Sequence, residues 1–599
     1  RVLGEDAFEP ELESRIRAAS AGNPLFVEEM VAMVRESGER HVVVPPTIWA
    51  LLAARLDQLD PAERQVLERG SVEGQLFHSA AVEALATPPA PAERELVGLV
   101  RKELVRPDRP QLPVGDAYRF RHLLIRDAAY DALPKAVRAE LHERFAAWLQ
   151  ERGSELVEHD EIIGYHLEQA YRYRIELGPV DGAADVLAAR AAALLMSSGR
   201  RARFRGDMPA AASLLTRAAE LSAAARRAVV TELAAALMET GELEQSAALL
   251  DQALAEARAA GDERTAAITA LARANLAGHR GESVSMERVI ELAGKAEAVL
   301  EQDGDDAQLA AVLVIEGRHR FFSGRSREGV AVLERAFDLA LGAGDLPCAH
   351  EALIWIWVAK TFGSASVSEC RDSFTRAPAQ LSETPSNRLM LTMQAGLVDG
   401  FAGEFASARE QLAEARALAD ELGARTTSAA LSMYAGFVEL LADDPAAAER
   451  ELRDGYDRLG AIGESGYRST VATMLADALV ELGGETEAAE ALDTAESLAQ
   501  PDDIDPQVRL RAVRARLLAA RGELAEAERV AREGVAVAAA TDYVVQHGDA
   551  LLALAVVLEA NGSHDEAAAA LRQALELFER KEVVPRVARV RALLRTGDP

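Results

Sequence analysis

Cysteine is almost missing from this chain. Cys348 and Cys370 are the two in 599 residues, too few for a disulfide framework or a four-thiolate metal site, and a reducing compartment is the expected setting. Aromatic residues are scarce as well, at 5 % against 49 % hydrophobic overall, which leaves Ala/Leu-rich helices packing on each other. No segment reaches the roughly 18 uninterrupted apolar residues that cross a bilayer, and the N-terminus lacks the charged, apolar and small-residue regions of a signal peptide. Basic charge is in deficit: 66 Lys and Arg against 97 Asp and Glu give −31, which repels nucleic-acid phosphates and anionic lipid over most of the surface. Any nucleic-acid contact must then be local, no membrane partner is implied, and a cytoplasmic location is expected. The chain starts at Arg1 rather than Met, and we expect a fragment or processed product.

What the sequence does have is repetition. After about residue 183 a unit recurs: an apolar-periodic helix, a glycine turn, and a second helix with small residues five and twelve positions beyond the glycine. Good copies are Gly206/Ala211/Ala218, Gly324/Gly329/Ala336, Gly403/Ala408/Ala415, Gly483/Ala488/Ala495, Gly522/Ala527/Gly534 and Gly562/Ala567/Ala574. Weaker ones are Gly241/Ser246/Ala253, Gly281/Met286/Ala293 and Asp443/Ala448/Gly455, with a poor copy near Gly363. Successive turns lie 35 to 43 residues apart, a period near 40. The turn needs a residue tolerant of unusual φ, and small side chains are needed where the second helix presses on the first. Ten such pairs predict a superhelix with a continuous core. The pattern resembles the tetratricopeptide repeat in its long-period form, across about 70 % of the chain.

Residues before the repeats are organised differently. Helices are predicted at Pro10–Ala19, Pro24–Glu36, Thr47–Leu59, Pro61–Arg69, Ser79–Ala86 and Ala92–Leu104, with Asp60-Pro61 as a cap and first-turn signature. Two β-like runs, Leu104–Arg106 and Ala117–Arg121, flank the turn Pro107–Pro113. Helices followed by a hairpin make a winged-helix plan. Further helices are predicted at Leu123–Leu133, Lys135–Arg152 and Asp160–Leu177.

The most distinctive short motif runs from Ser20 to Glu29. Within it Gly22-Asn23-Pro24 is a turn that starts a helix, with Asn23 able to cap and Pro24 supplying the first-turn φ. Four stretches, Gly22–Glu29, Val44–Leu59, Phe120–Tyr130 and Ile163–Arg172, together resemble the region after the ATPase core in bacterial signal-transduction ATPases with numerous domains, especially actinobacterial proteins that join a nucleotide cyclase domain, an ATPase and a repeat tail. The resemblance implies that Gly22 and Pro24 lie against the nucleotide base. It further implies that His122, with Arg121 beside it in Phe120-Arg121-His122-Leu123, belongs to a winged-helix histidine motif that touches the β-phosphate of ADP. A helix N-terminus with an imidazole donor suits an anion. The sequence departs from the family's Met-His-Asp form, since Leu123 follows the histidine and the acid comes only at Asp127. An alternative role for His122 is simply to cap a helix.

An NTPase needs a glycine-rich loop ending in Gly-Lys-Ser/Thr. The only Gly-Lys pair, Gly294-Lys295, is followed by Ala296 and sits in a repeat helix. There is no His-Glu-x-x-His site and no Gly-x-Ser-x-Gly elbow. The chain is therefore expected to be no enzyme and to hold no cofactor, with ATP or ADP belonging to a parent protein. From Arg101 to Gln150, ten Lys/Arg stand against seven Asp/Glu, a local excess that suits DNA, nucleotide phosphates or pairing with the acidic repeats; DNA is disfavoured. Within the repeats, Arg318-His319-Arg320-Phe321-Phe322 and Ile354-Trp355-Ile356-Trp357 break the Ala/Leu monotony. Arg318, His319, Trp355 and Trp357 form a candidate groove for a peptide or small anionic effector, the alternative being packing where the repeat is irregular. Since residues two apart on a helix point about 200° apart, only one of the two tryptophans can face the groove.

The expected architecture is all-α: an ATPase-module remnant over 1–45, a winged-helix-like domain over 46–133, a helical linker over 134–182 and a tetratricopeptide-like solenoid over 183–599. The expected function is the regulatory arm of a signalling ATPase, binding a protein or small effector and relaying it to an ATPase core. Alternatives are a large transcription regulator or a standalone repeat scaffold.

Overall fold

The computed structural model describes residues 16–17, 20, 23–37, 47–112, 114–152, 158–178, 182–376 and 384–596. It divides into two compact units, Arg1–Ser198 with Arg217–Ala225, and Gly199–Thr216 with Arg226–Pro599. The predicted helix Pro10–Ala19 lies almost wholly outside the described residues.

In the first unit, short helices form where the sequence supplies caps. Asp60 accepts a hydrogen bond from the Ala62 amide (2.9 Å) and Pro61 opens helix Pro61–Glu73, while the Thr47 hydroxyl caps Ile48–Asp57. The order continues with strand β1 (Leu76–His78), helices Ser79–Ala84 and Glu93–Arg101, and strands β2 (Val105–Asp108) and β3 (Ala117–Phe120). The three strands form an antiparallel sheet in the order β1-β3-β2, Phe77 facing Tyr118 and Val105 facing Phe120. Helices Leu123–Ala132, Lys135–Arg152 and His159–Leu177 follow. The hairpin predicted from sequence is present, and β1 is added to it.

Among the described residues from Gly182 onward, ten helix pairs form a tetratricopeptide-like solenoid, closed by the helix Val584–Thr596. Eight of the turn glycines sit in the left-handed region, with φ from +70° at Gly281 to +87° at Gly206, where a Cβ is disfavoured. Asp443 takes the same conformation at +60°. Gly363 does not: its φ is −82°, and the helix after it, Val367–Thr375, is only 9 residues long. The poor copy in sequence is thus a physical break in the array.

The small-residue phase follows from contact between partners. Ala211, Ala218, Ala336, Ala408, Ala415, Ala488, Ala495 and Ala574 are wholly buried. At Gly329 a Cβ would stand 2.7 Å from the carbonyl oxygen of Gly317 on the partner helix, so the two backbones touch. First helices bury residues nearly all round, as Arg425–Leu441 does, whereas the second helix Pro445–Ala461 buries only the stripe Ala448, Leu452, Gly455 and Leu459.

The curvature brings distant pairs together. Gln500 Nε2 donates to Glu282 O across 218 residues, Lys581 Nζ to Gly363 O across 218, and Thr426 Oγ1 to Met238 O across 188. At a period near 40, one turn of the superhelix takes about five pairs. Turns within pairs on one coil rest on turns between pairs of the next: Gly206 meets Leu422, Gly241 meets Ile462 and Gly324 meets Thr541. The second series of turns has left-handed glycines of its own, at Gly261, Gly304, Gly344, Gly423 and Gly463. No helix among the described residues is long and apolar enough to cross a membrane.

Candidate functional site

Winding the array this tightly leaves a lumen of about 290 Å³ within the second unit. Its wall comes from the first helices of the pairs: Glu239, Asn275, Arg318, Trp355, Met393, Tyr434 and Tyr467 each stand on a different one. Second helices reach it only at their ends, through Met208, Met286 and Leu498, because their apolar stripe packs against the first helices.

Arg318 is the central charged group, 7 % exposed. Its Nη2 donates to Asn275 Oδ1, and its guanidinium carbon lies 5.1 Å from the centre of the Trp355 ring. Trp355 stands edge-on to Phe322 at 5.7 Å. Next to it, His319 Nδ1 lies 2.8 Å from Ile315 O, and burial first, then the Arg318 charge, pushes this imidazole down to about 3. It is neutral at physiological pH. His350 is pushed down to about 4 by burial.

Other lumen charges have partners. Arg203 pairs with Glu351 at 3.1 Å, and His279 Nδ1 lies 2.8 Å from Oε1 of the wholly buried Glu464. Glu464 also accepts from the Tyr467 amide at 2.8 Å. Burial raises the Glu239 carboxyl, against the opposing hydrogen bond from Thr427 Oγ1 at 2.9 Å. Asp505 accepts from Arg509 and, at 2.7 Å, from Gln546. Asp503 is raised well above the carboxylate range by burial, then by the charges of Asp505, Asp502 and Glu464.

The sequence-derived groove residues divide. Arg318, His319 and Trp355 line the lumen. Trp357 is a correction: it is wholly buried and stands edge-on to Phe374 at 5.7 Å in the core. The roughly 200° between residues two apart turns one indole inward and the other into the packing.

In the first unit, Gly22 lies outside the described residues. Asn23 Oδ1 accepts from the Leu25 amide at 3.0 Å, and Pro24 opens the helix Pro24–Ser37. His122 sits just before helix Leu123–Ala132 but makes no capping hydrogen bond with its side chain. Its Nε2 lies 3.8 Å from Glu28 Oε2, so the Asn23-Pro24 helix and the histidine element meet. Arg121 pairs with Glu103 at 3.3 Å on the surface. The buried ion pair of Glu29 with Arg55 holds this helix against Ile48–Asp57. With Glu28 beside it, His122 as it stands faces a carboxylate.

Glu239, Asn275, His279, Tyr434, Tyr467, Asp503 and Tyr543 escaped the sequence reading. Each belongs to a different stretch of the array and matches no local motif; the one signal available was a polar or aromatic residue on an otherwise apolar first helix.

No protein-family model matches the chain, and no curated protein matches it. Among solved structures, it is similar to a signal transduction ATPase with numerous domains from Pyrococcus horikoshii that carries a tetratricopeptide repeat sensor: 14 % identity over 99 % of this chain and 73 % of that one, TM-score 0.28. A Rap protein complexed with competence and sporulation factor is 14 % identical over 62 % of this chain and 99 % of its own, TM-score 0.35. The anaphase-promoting complex hetero-tetramer Cut9-Hcn1 is 12 % identical over 78 % and 91 %, TM-score 0.34. The repeat fold itself is carried by the ten helix pairs.

Proposed function

We propose that this chain is the non-catalytic sensing arm of a larger signalling ATPase, in which the repeat array takes a protein segment or small effector into its lumen and the first unit relays occupancy to a nucleotide switch. The observation that carries the reading is the lumen itself: polar and aromatic side chains from successive first helices converge on one space, where a solenoid built only for stability would place alanine and leucine.

For the first unit, the order helix, strand, two helices, two strands, with the sheet order β1-β3-β2, supports a winged-helix reading. Helix Glu93–Arg101 stands where such folds read DNA, yet it carries Glu93 and Glu95, which oppose a phosphate backbone. The meeting of His122 with the helix opened by Pro24 supports a relay between these elements. ATP or ADP, and a cyclase output, belong in this proposal to the parent.

Hydrogen–deuterium exchange on the whole chain tests the sensing role, with and without the protein and small-molecule fractions of a bacterial extract. Protection is expected in first helices, above all Asp306–Phe322, Leu346–Phe362 and Gly466–Glu481. Protection confined to second helices would move binding to the outer face and overturn the reading. A mutation-sensitive ATP turnover by the purified chain would overturn its non-catalytic part.

A further inference from the structure

Of the two lumen arginines among the described residues, Arg203 has Glu351 as its counter-charge at 3.1 Å. Arg318 differs. Among the described residues its one hydrogen-bond partner is the neutral amide of Asn275, its Nε has none, and no carboxylate forms an ion pair with it. A guanidinium cannot shed its proton, so the fold keeps a permanent cation, 7 % exposed, without an anion. A buried charge left in this way is costly unless something completes it.

Glu239 is the near acid: it feels the Arg318 charge but makes no ion pair with it, its hydrogen bond coming from Thr427. Apolar and aromatic side chains, Trp355, Phe321, Phe322, Met390 and Met433, line the same space beside the polar His319 and Tyr467. A space of about 290 Å³ admits a small organic molecule. Arg318 offers one positive charge, which a single carboxylate balances and a dianion such as a phosphate ester exceeds. A carboxylate also matches the planar fork of a guanidinium.

Resting on the sensing reading above and sharpening it, we infer that the lumen binds a small organic monocarboxylate with an apolar or aromatic body, its carboxylate on Arg318 and its body against Trp355 and Phe322.

The test uses the full chain and titration calorimetry with 3-phenylpropionate, hexanoate and indole-3-acetate, set beside phenyl phosphate and phenethylamine. At least one carboxylate is expected to bind, more tightly than either control, and to quench tryptophan emission. Arg318→Gln should lower that affinity at least tenfold. Asn275→Asp supplies an internal anion beside Arg318, so it should keep or raise the melting temperature while abolishing carboxylate binding; it decides the matter if Arg318→Gln fails to fold. The inference is overturned if no carboxylate binds, if phenethylamine or phenyl phosphate binds as well, or if both variants leave affinity unchanged. Failure here with lumen protection intact in the exchange experiment sinks the carboxylate and leaves the sensing role; loss of that protection sinks the role itself.

Discussion

The two units bury polar groups in opposite ways. In the first they complete one another: His142 joins His166 (Nδ1 to Nδ1, 2.8 Å) and Tyr130 (2.7 Å), and Tyr130 reaches Tyr173 at 3.0 Å. His78 Nε2 accepts from the amides of Gln111 and Leu112 at 3.2 Å, which leaves Nδ1 to donate to Glu73 at 2.6 Å. In the second unit some polar atoms facing the lumen are left short, among them Gln546 Oε1 and, most of all, Arg318 Nε. A fully connected network rigidifies and specifies a core, whereas an incomplete one around a space is poised to accept something else. Both units are helical; what separates them is whether the helices close on a core or around a hole.

The largest expected effect comes from breaking the second unit between its coils. Lys581 is wholly buried, and its ammonium donates to the carbonyls of Lys360 (3.0 Å), Gly363 (2.9 Å) and Ala365 (2.5 Å). Lys581→Met leaves these acceptors unanswered and should cost about 3 kcal/mol. Urea unfolding should show the loss in the transition seen by Trp355 and Trp357, with the transition seen by Trp49 and Trp148 unmoved.

Next in size is Gly329→Ala. Its methyl would press on the Gly317 carbonyl oxygen, a backbone atom that cannot rotate away, and should cost about 2 kcal/mol, read by the same probes.

Acid sharpens the comparison from the other side. Burial pushes His142 down to about 3 and His166 well below 6.5. Below pH 6.5 the unfolded chain therefore binds protons that the folded unit refuses. The stabilising contribution of the neutral pair is complete above pH 6.5 and falls as pH drops, by about 1.4 kcal/mol per pH unit for His142 down to about 3, with His166 adding in the same direction. His142→Phe should flatten the acid limb of stability measured through Trp148; an unchanged slope would mean that the pair does not carry it.

The smallest effect is expected at the surface. Arg529→Ala removes ion pairs with Glu526 and Glu533 that are fully solvated, so scanning calorimetry should show the melting temperature of either unit unchanged.

Much of the solenoid was legible because its determinants are local. A glycine turn and two small positions recur within one pair, and they are the left-handed turns and buried alanines of the structure. The hairpin was legible for the same reason, through two β-like runs around a proline-rich turn. Leu76–His78 was not, since three residues show no alternation and become a strand only by pairing with Ala117–Arg119. Of the site, Arg318, His319 and Trp355 stood out by composition, but Trp357 shared that signal and went to the core. Glu239, Tyr467 and Asp503 gave none, because the angle between successive pairs sets the curvature, and only the curvature makes them neighbours.

The stacking of coil on coil makes the array a spring with stitched windings. Tyr543 Oη holds Phe321 O, His279 holds Glu464, and Lys581 clamps the end of helix Leu346–Phe362, so the bore of the lumen cannot widen while the stitches last. Pulled from its ends, such a spring should first yield with little gain in length as the stitches part. It should then pay out in steps of one helix pair, each releasing about 40 residues or roughly 140 Å of extended chain. A molecule held in the lumen would raise the force of that first event and leave the later steps alone.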